Sequence, residues 1–232
     1  MKKYFVESIG TFFLVLIIVL TVNNTAGNMT PLAIGSILMV MIFAGGHISG
    51  GHFNPAVTLG VWIRGKVKAA DVPGYMIGQL LGALLGALTT TYLLGFIPGA
   101  TPISTSGIFD FIGGTLAEFL GIFALVWVVL HTATAADVKD NSFYGLAIGF
   151  TIMACVYGLC GIIGGAFNPS VAPGISVIGM TSWGNITAFL LSQLLAGVAA
   201  AFVFKYVAVS QKQKSITNNN YTIFKTFFNS II

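Results

Sequence analysis

Gly50-Gly51-His52-Phe53-Asn54-Pro55-Ala56-Val57-Thr58-Leu59-Gly60 recurs as Gly164-Gly165-Ala166-Phe167-Asn168-Pro169-Ser170-Val171-Ala172-Pro173-Gly174. Seven of the eleven positions are identical at an offset of 114. The same offset maps Leu32-Ala33-Ile34-Gly35 onto Leu146-Ala147-Ile148-Gly149, and Gln79-Leu80-Leu81 onto Gln193-Leu194-Leu195. At offset 111, Glu7, Gly10, Phe12, Leu14 and Val15 map onto Glu118, Gly121, Phe123, Leu125 and Val126. The chain therefore reads as two related halves, about 4–94 and 113–208.

Composition decides what the halves are. Of 232 residues, 56% are apolar and 7% charged, with a mean hydropathy of +0.94. A soluble domain needs roughly 25% charged residues to face water. A soluble enzyme, a disordered chain and a nucleic-acid binder are excluded; ten basic residues with a net charge of +4 make no dense patch. Glycine, with 29 residues, lets transmembrane helices approach closely. Cys155 and Cys160 read as buried thiols within an apolar run.

Apolar runs long enough to span a bilayer lie at 4–22 and at about 31–49, 73–94, 113–134, 143–162 and 184–208. Met1-Lys2-Lys3 before the first run resembles a signal peptide, but no small-residue cleavage site follows, so we read an uncleaved first span. Every Lys and Arg falls on one side: Lys2 and Lys3 before span one, Arg64, Lys66 and Lys68 between two and three, Lys139 between four and five, and Lys205, Lys212, Lys214 and Lys225 at or beyond the end of span six. The positive-inside rule makes both termini cytoplasmic and the protein a multi-pass membrane protein, expected at the cell membrane. Three spans per half invert the second half. Inverted repeats place the functional site near the midplane, at broken helices.

Asn is a preferred helix cap and Pro a preferred first helical residue. Asn54 and Asn168 are thus expected to cap short helices at 55–63 and 169–177, too short to cross. Inversion brings their N-termini together at mid-membrane, where irregular backbone is tolerated only if buried or lining a wet cavity. Each helix end aims positive partial charge at that point.

The stretch from His47 to Val57 resembles the first signature of the aquaporin, or major intrinsic protein, family nearly in full. Asn168-Pro169-Ser170 is similar to the second box, with Ser for the usual Ala. The resemblance covers residues 4–208 and implies one all-α channel domain: a right-handed bundle of six helices plus two re-entrant half-helices, usually assembled as a homotetramer. Residues 209–232 are then a cytoplasmic tail. The pore boxes would be Asn54, Pro55, Ala56, Asn168, Pro169 and Ser170. The resemblance also implies passive passage of water and small neutral solutes, no cofactor, no metal and no catalytic residues.

Four positions of an outer constriction follow from the family spacing: Ile34, Val156, Gly165 and Val171. Most members carry Arg where this chain has Val171. Strict water filters carry an aromatic residue and a His at the first two positions, where this chain is aliphatic. Glycerol facilitators carry Arg then Asp after the second box and longer loops; this chain has Val171-Ala172-Pro173. The filter looks more similar to that of plant tonoplast intrinsic proteins, which pass water, ammonia and urea. Ammonia, urea, hydrogen peroxide and glycerol remain unranked.

Glu7 and Glu118 begin equivalent spans. Membrane-end solvation suits Glu7, but the repeat and the family favour bracing of the re-entrant loops through their N–H groups. His52, beside the pore by resemblance, is a packed histidine or a pH gate; His131 reads as structural. Phe224, Phe227, Phe228 and Ile231 make a helical stripe suited to the membrane surface or a disordered tail, after a flexible linker at 211–222. The rival functions are a secondary transporter, which needs midplane carboxylates, and a weakly conducting structural membrane protein.

Overall fold

The computed structural model describes the backbone of residues 1–23, 26–97 and 111–229, and side chains through 208 except at position 163. It is all-helical. The helices are α1 (Lys2–Asn23), α2 (Thr30–Ser49), α3 (Pro55–Ile63), α4 (Val72–Leu94), α5 (Phe111–Ala133), α6 (Tyr144–Ile163), α7 (Val171–Val177) and α8 (Trp183–Asn229). Six of them, all but α3 and α7, are long and apolar enough to cross a membrane. Helix is the form that satisfies every backbone N–H and C=O within its own segment in lipid.

Small residues set how closely these helices pack. On α4, a Cβ at Gly78, Gly82 or Gly86 would meet the α1 backbone carbonyls of Tyr4, Ser8 and Phe12 within 2.6 Å. The repeat carries this stripe to Ser192, Ala196 and Ala200 on α8, and α8 packs on α5 as α4 packs on α1. The halves join where α2 crosses α6, at Gly35 and Gly149. Contacts there run antiparallel: Gly35 faces Gly149, and Phe43 faces Gly145 and Tyr144.

Two expectations are corrected. The second half-helix starts at Val171, not 169. Val171 and Ala172 both donate to the Asn168 carbonyl. The next rung would run from residue 173 to residue 169, but Pro173 has no N–H, so the first turn is not regular α-helix. In the first half Leu59 stands at the equivalent position, and α3 begins at Pro55. Second, the linker expected at 211–222 is helical: α8 runs unbroken to Asn229. No Gly or Pro interrupts 209–229, and adding residues to a formed helix is far easier than starting one. Residues 98–110, most of the connection between α4 and α5, and Ile231 lie outside the described residues.

Candidate pore

α2 and α6 each end on a glycine with positive φ, Gly50 at 95° and Gly164 at 69°. The chain then turns back into a re-entrant loop whose N–H groups need acceptors. In the first half Glu7 supplies them. Its Oε1 accepts from the His52 N–H (3.0 Å) and the Ser49 hydroxyl (2.6 Å); its Oε2 accepts from the Phe53 N–H (2.6 Å) and Gln79 Nε2 (2.7 Å). In the second half Glu118 accepts from the N–H groups of Ala166 (2.5 Å) and Phe167 (2.9 Å), and from Gln193 Nε2 (2.7 Å). Both carboxylates are fully buried. Several donors converging on each replace the water that a buried carboxylate has lost.

Phe53 and Phe167 are the pivots. Each has positive φ, 49° and 44°, a region that a bulky residue rarely enters. Such strain persists only when surroundings over-determine it. Here they do. Each Phe N–H donates to the Glu of its half. Each ring lies where a Cβ on Gly10 or Gly121 would stand, 2.1 Å and 2.5 Å from its nearest atom. Each carbonyl accepts from the other half: Asn54 Nδ2 donates to Phe167 O (2.9 Å) and Asn168 Nδ2 to Phe53 O (2.8 Å).

The Asn oxygens are also engaged. Asn54 Oδ1 accepts from the N–H groups of Ala56 (2.9 Å) and Val57 (3.4 Å), capping α3. Asn168 Oδ1 accepts from the Ser170 N–H at 2.9 Å. An amide nitrogen carries two hydrogens, so each Asn has one not used in the bond to Phe.

Both Asn line one cavity of about 380 Å³. It also touches Ile34, Val156, Gly165 and Val171, so the four positions expected to form the constriction share it. Around Gly165 space is tight, since a Cβ there would lie 2.9 Å from the Phe167 ring and 3.0 Å from Cys160 Sγ. His52 lines the cavity and Glu7 and Glu118 do not. His52 Nδ1 lies 3.1 Å from Thr58 Oγ1, which donates to the Asn54 carbonyl and accepts from Gln79. The ring also packs on Tyr75, whose hydroxyl donates to Ser49 O. The second half has Ala166, Ala172 and Phe189 at the positions of His52, Thr58 and Tyr75, so this network has no counterpart there. His47 is exposed, and His131 packs on Trp127 and Phe204 away from the cavity. Pro55, Ala56, Pro169 and Ser170 are not among the residues lining the cavity. The two cysteines are free and half-buried rather than fully buried, and Cys160 lines the cavity.

The family model for Major intrinsic protein matches residues 1–155 and 105–232. The chain belongs to the major intrinsic protein family. It is 32% identical to "Glycerol uptake facilitator protein-like 6" of Lactiplantibacillus plantarum, over 87% of this chain and 96% of that one. It is 31% identical to "Nodulin-26" of Glycine max, over 97% and 84%. Its fold matches that of the aquaglyceroporin from Plasmodium falciparum with a TM-score of 0.69 and 21% identity, covering 87% of this chain and 94% of that one. Members of this family are membrane channels, and this major intrinsic protein is a channel rather than an enzyme.

Sequence reasoning passed over several residues of this site. The repeat paired Gln79 with Gln193 and Gly10 with Gly121, which was the available signal, but gave them no partner. The strained Phe pair was visible as two identities within the repeat. Ser49 lay within the signature stretch but was given no partner, and Thr58 and Tyr75 carried no signal, because they occur in one half only.

Proposed function

We propose that this family member is a passive channel for water and small neutral solutes, ammonia among them, with protons and ions held back at the Asn pair. One observation carries the reading: two cavity-lining amides, each fixed at both ends, and each with one N–H left. A water at that level accepts from both and turns its own hydrogens outward. That breaks the oriented wire a hopping proton needs, and the ends of α3 and α7 repel cations. This is the barrier already known for aquaporin-type pores.

The constriction of Ile34, Val156, Gly165 and Val171 would set the size and polarity of what passes, as in a tonoplast-type filter. Three aliphatic side chains and a glycine leave it uncharged. Arg there would narrow the opening and add fixed donors and a charge. Glu7 and Glu118 would brace the loops. Their hydrogen bonds turn them to the loops and away from the cavity, which disfavours a proton-coupled transporter. Both termini would face the cytoplasm, by the placement of Lys and Arg, and a homotetramer is expected from the family.

The test is stopped-flow light scattering on proteoliposomes with water, ammonia, urea, hydrogen peroxide and glycerol gradients. Water and ammonia should pass faster than through empty vesicles, with no proton current. Flux no faster than empty vesicles for every solute would leave the structural-protein reading. Solute flux driven by a proton gradient would favour the transporter.

A further inference from the structure

At the end of the bundle that carries the Lys and Arg residues, α3, α5 and α8 meet around Phe204 of α8, which is 3% exposed. The guanidinium of Arg64, the residue that ends α3, lies 5.0 Å from the centre of the Phe204 ring. His131, in the last turn of α5, meets the same ring edge-on at 4.7 Å. His131 packs in turn on Trp127 at 4.0 Å, with its Nδ1 3.0 Å from the Trp127 carbonyl oxygen. Lys205 follows Phe204 and is exposed.

Among the described residues no counter-charge pairs with Arg64. Its Nε is buried and has no hydrogen-bond partner. The ion pairs among the described residues are Lys3–Asp71 and Lys139–Asp140, and neither involves it. Asp137 and Asp140, on the loop after α5, are exposed. A desolvated guanidinium donor without an acceptor is costly. Nor is Arg64 a legacy of the repeat, since Ile178 stands at the equivalent position. Topology does not require it at this spot either. Lys66 and Lys68, exposed on the same loop, already give the charge bias that orients a membrane protein.

The seat has the make-up of a lipid site. A planar guanidinium matches a phosphate through paired N–H bonds. Basic pockets between transmembrane helices hold anionic headgroups. Phe202 and Tyr206, two residues either side of Phe204 and so on the opposite face of α8, are 60% and 80% exposed, an apolar surface open to acyl chains. We propose that Arg64, with the Phe204–His131–Trp127 stack beneath, binds the phosphate of an anionic phospholipid of the phosphatidylglycerol type. α3 runs only from Pro55 to Ile63, with Asn54 capping one end and Arg64 the other. The lipid thus clamps the far end of the half-helix that presents Asn54. The site is independent of which solutes the channel passes.

Native mass spectrometry of the full chain, released from detergent, tests this by titration with dioleoyl phosphatidylglycerol against dioleoyl phosphatidylcholine. The unaltered protein should hold the anionic lipid about tenfold more tightly, the size expected of one charge-assisted contact. Arg64→Ala should bring the ratio close to one, and Arg64→Lys should fall between. Lys139→Ala, on the same face but away from the seat, should leave the ratio unchanged. If Arg64→Ala does not fold, Arg64→Gln, which keeps donors without the charge, carries the same comparison. No preference in the unaltered protein, or a preference surviving the loss of Arg64, overturns the proposal. An equal loss in Lys139→Ala overturns it too, in favour of diffuse surface charge. Excess inorganic phosphate should leave the lipid bound; displacement would assign the site to free phosphate instead.

Discussion

Gly35 and Gly149 meet backbone to backbone where the two halves cross. A Cβ on Gly35 would lie 2.6 Å from the Gly149 carbonyl oxygen, and one on Gly149 would lie 2.5 Å from that of Gly35. The obstacle is main chain on both sides, so no rotamer change relieves it. Gly35→Ala and Gly149→Ala should each lose about 1–3 kcal/mol through overpacking. Gly158, also on α6, has open space around its Cβ position, and Gly158→Ala should stay within about 1 kcal/mol. Melting temperatures of the purified variants in one mild detergent decide this. Equal losses at Gly35 and Gly158 would mean that the crossing is looser than described.

Glu118 offers a sharper comparison than simple deletion. Glu118→Gln keeps one acceptor oxygen for the loop, whereas Glu118→Ala leaves both the Ala166 and the Phe167 N–H without one. Each buried donor so orphaned costs about 1–3 kcal/mol. The Gln variant should fold in better yield and conduct more water. Matching yields and permeabilities for the two would remove Glu118 from any bracing role.

Val171→Arg should cut ammonia and urea flux more than water flux. Val171 is buried at 1% exposure and touches the same cavity as Ile34, Val156 and Gly165. A guanidinium placed there brings fixed donors and a positive charge into an apolar ring. Paired stopped-flow measurements at matched protein density give the ratio. An unchanged solute-to-water ratio would mean that position 171 does not set selectivity.

Cys160 should make the pore sensitive to small thiol reagents. Its Sγ stands 3.0 Å from where a Gly165 Cβ would be, and the residue lines the cavity. A methanethiosulfonate adduct should reduce water flux several-fold. Cys160→Ser should abolish that effect, while Cys155→Ser, off the cavity lining, should not. Inhibition that persists in Cys160→Ser would place the reactive thiol elsewhere.

The six spans were legible because lipid demands long apolar runs, and the sequence has six of them. The half-helices were legible because Asn-Pro appears twice at one offset. What was hidden depends on distances the chain order does not show. Gln79 sits in an apolar run, and nothing local says that its partner is Glu7, 72 positions away. The late start of α7 was within reach: Pro173 removes one rung, but the identity of Asn-Pro in both halves suggested equal starts. The helical path of 211–222 was obscured by polar composition, which signals a linker only when something also breaks the helix. The polar set around His52 escaped because the repeat highlights what the halves share, and Thr58 and Tyr75 are where they differ.

The crossed bonds between Asn54 and Phe167 and between Asn168 and Phe53 bear on how such a chain could arise. Each half completes its own loop only with a carbonyl and an amide from the other. A three-span half alone in lipid would leave both groups orphaned. Two copies of one half inserted in opposite directions would satisfy them, since each copy brings both members of the exchange. A short ancestral gene whose product entered the membrane in both orientations would therefore have been under pressure to pair before it was duplicated and fused. After fusion, Lys and Arg were free to accumulate on one side without loss of the partner.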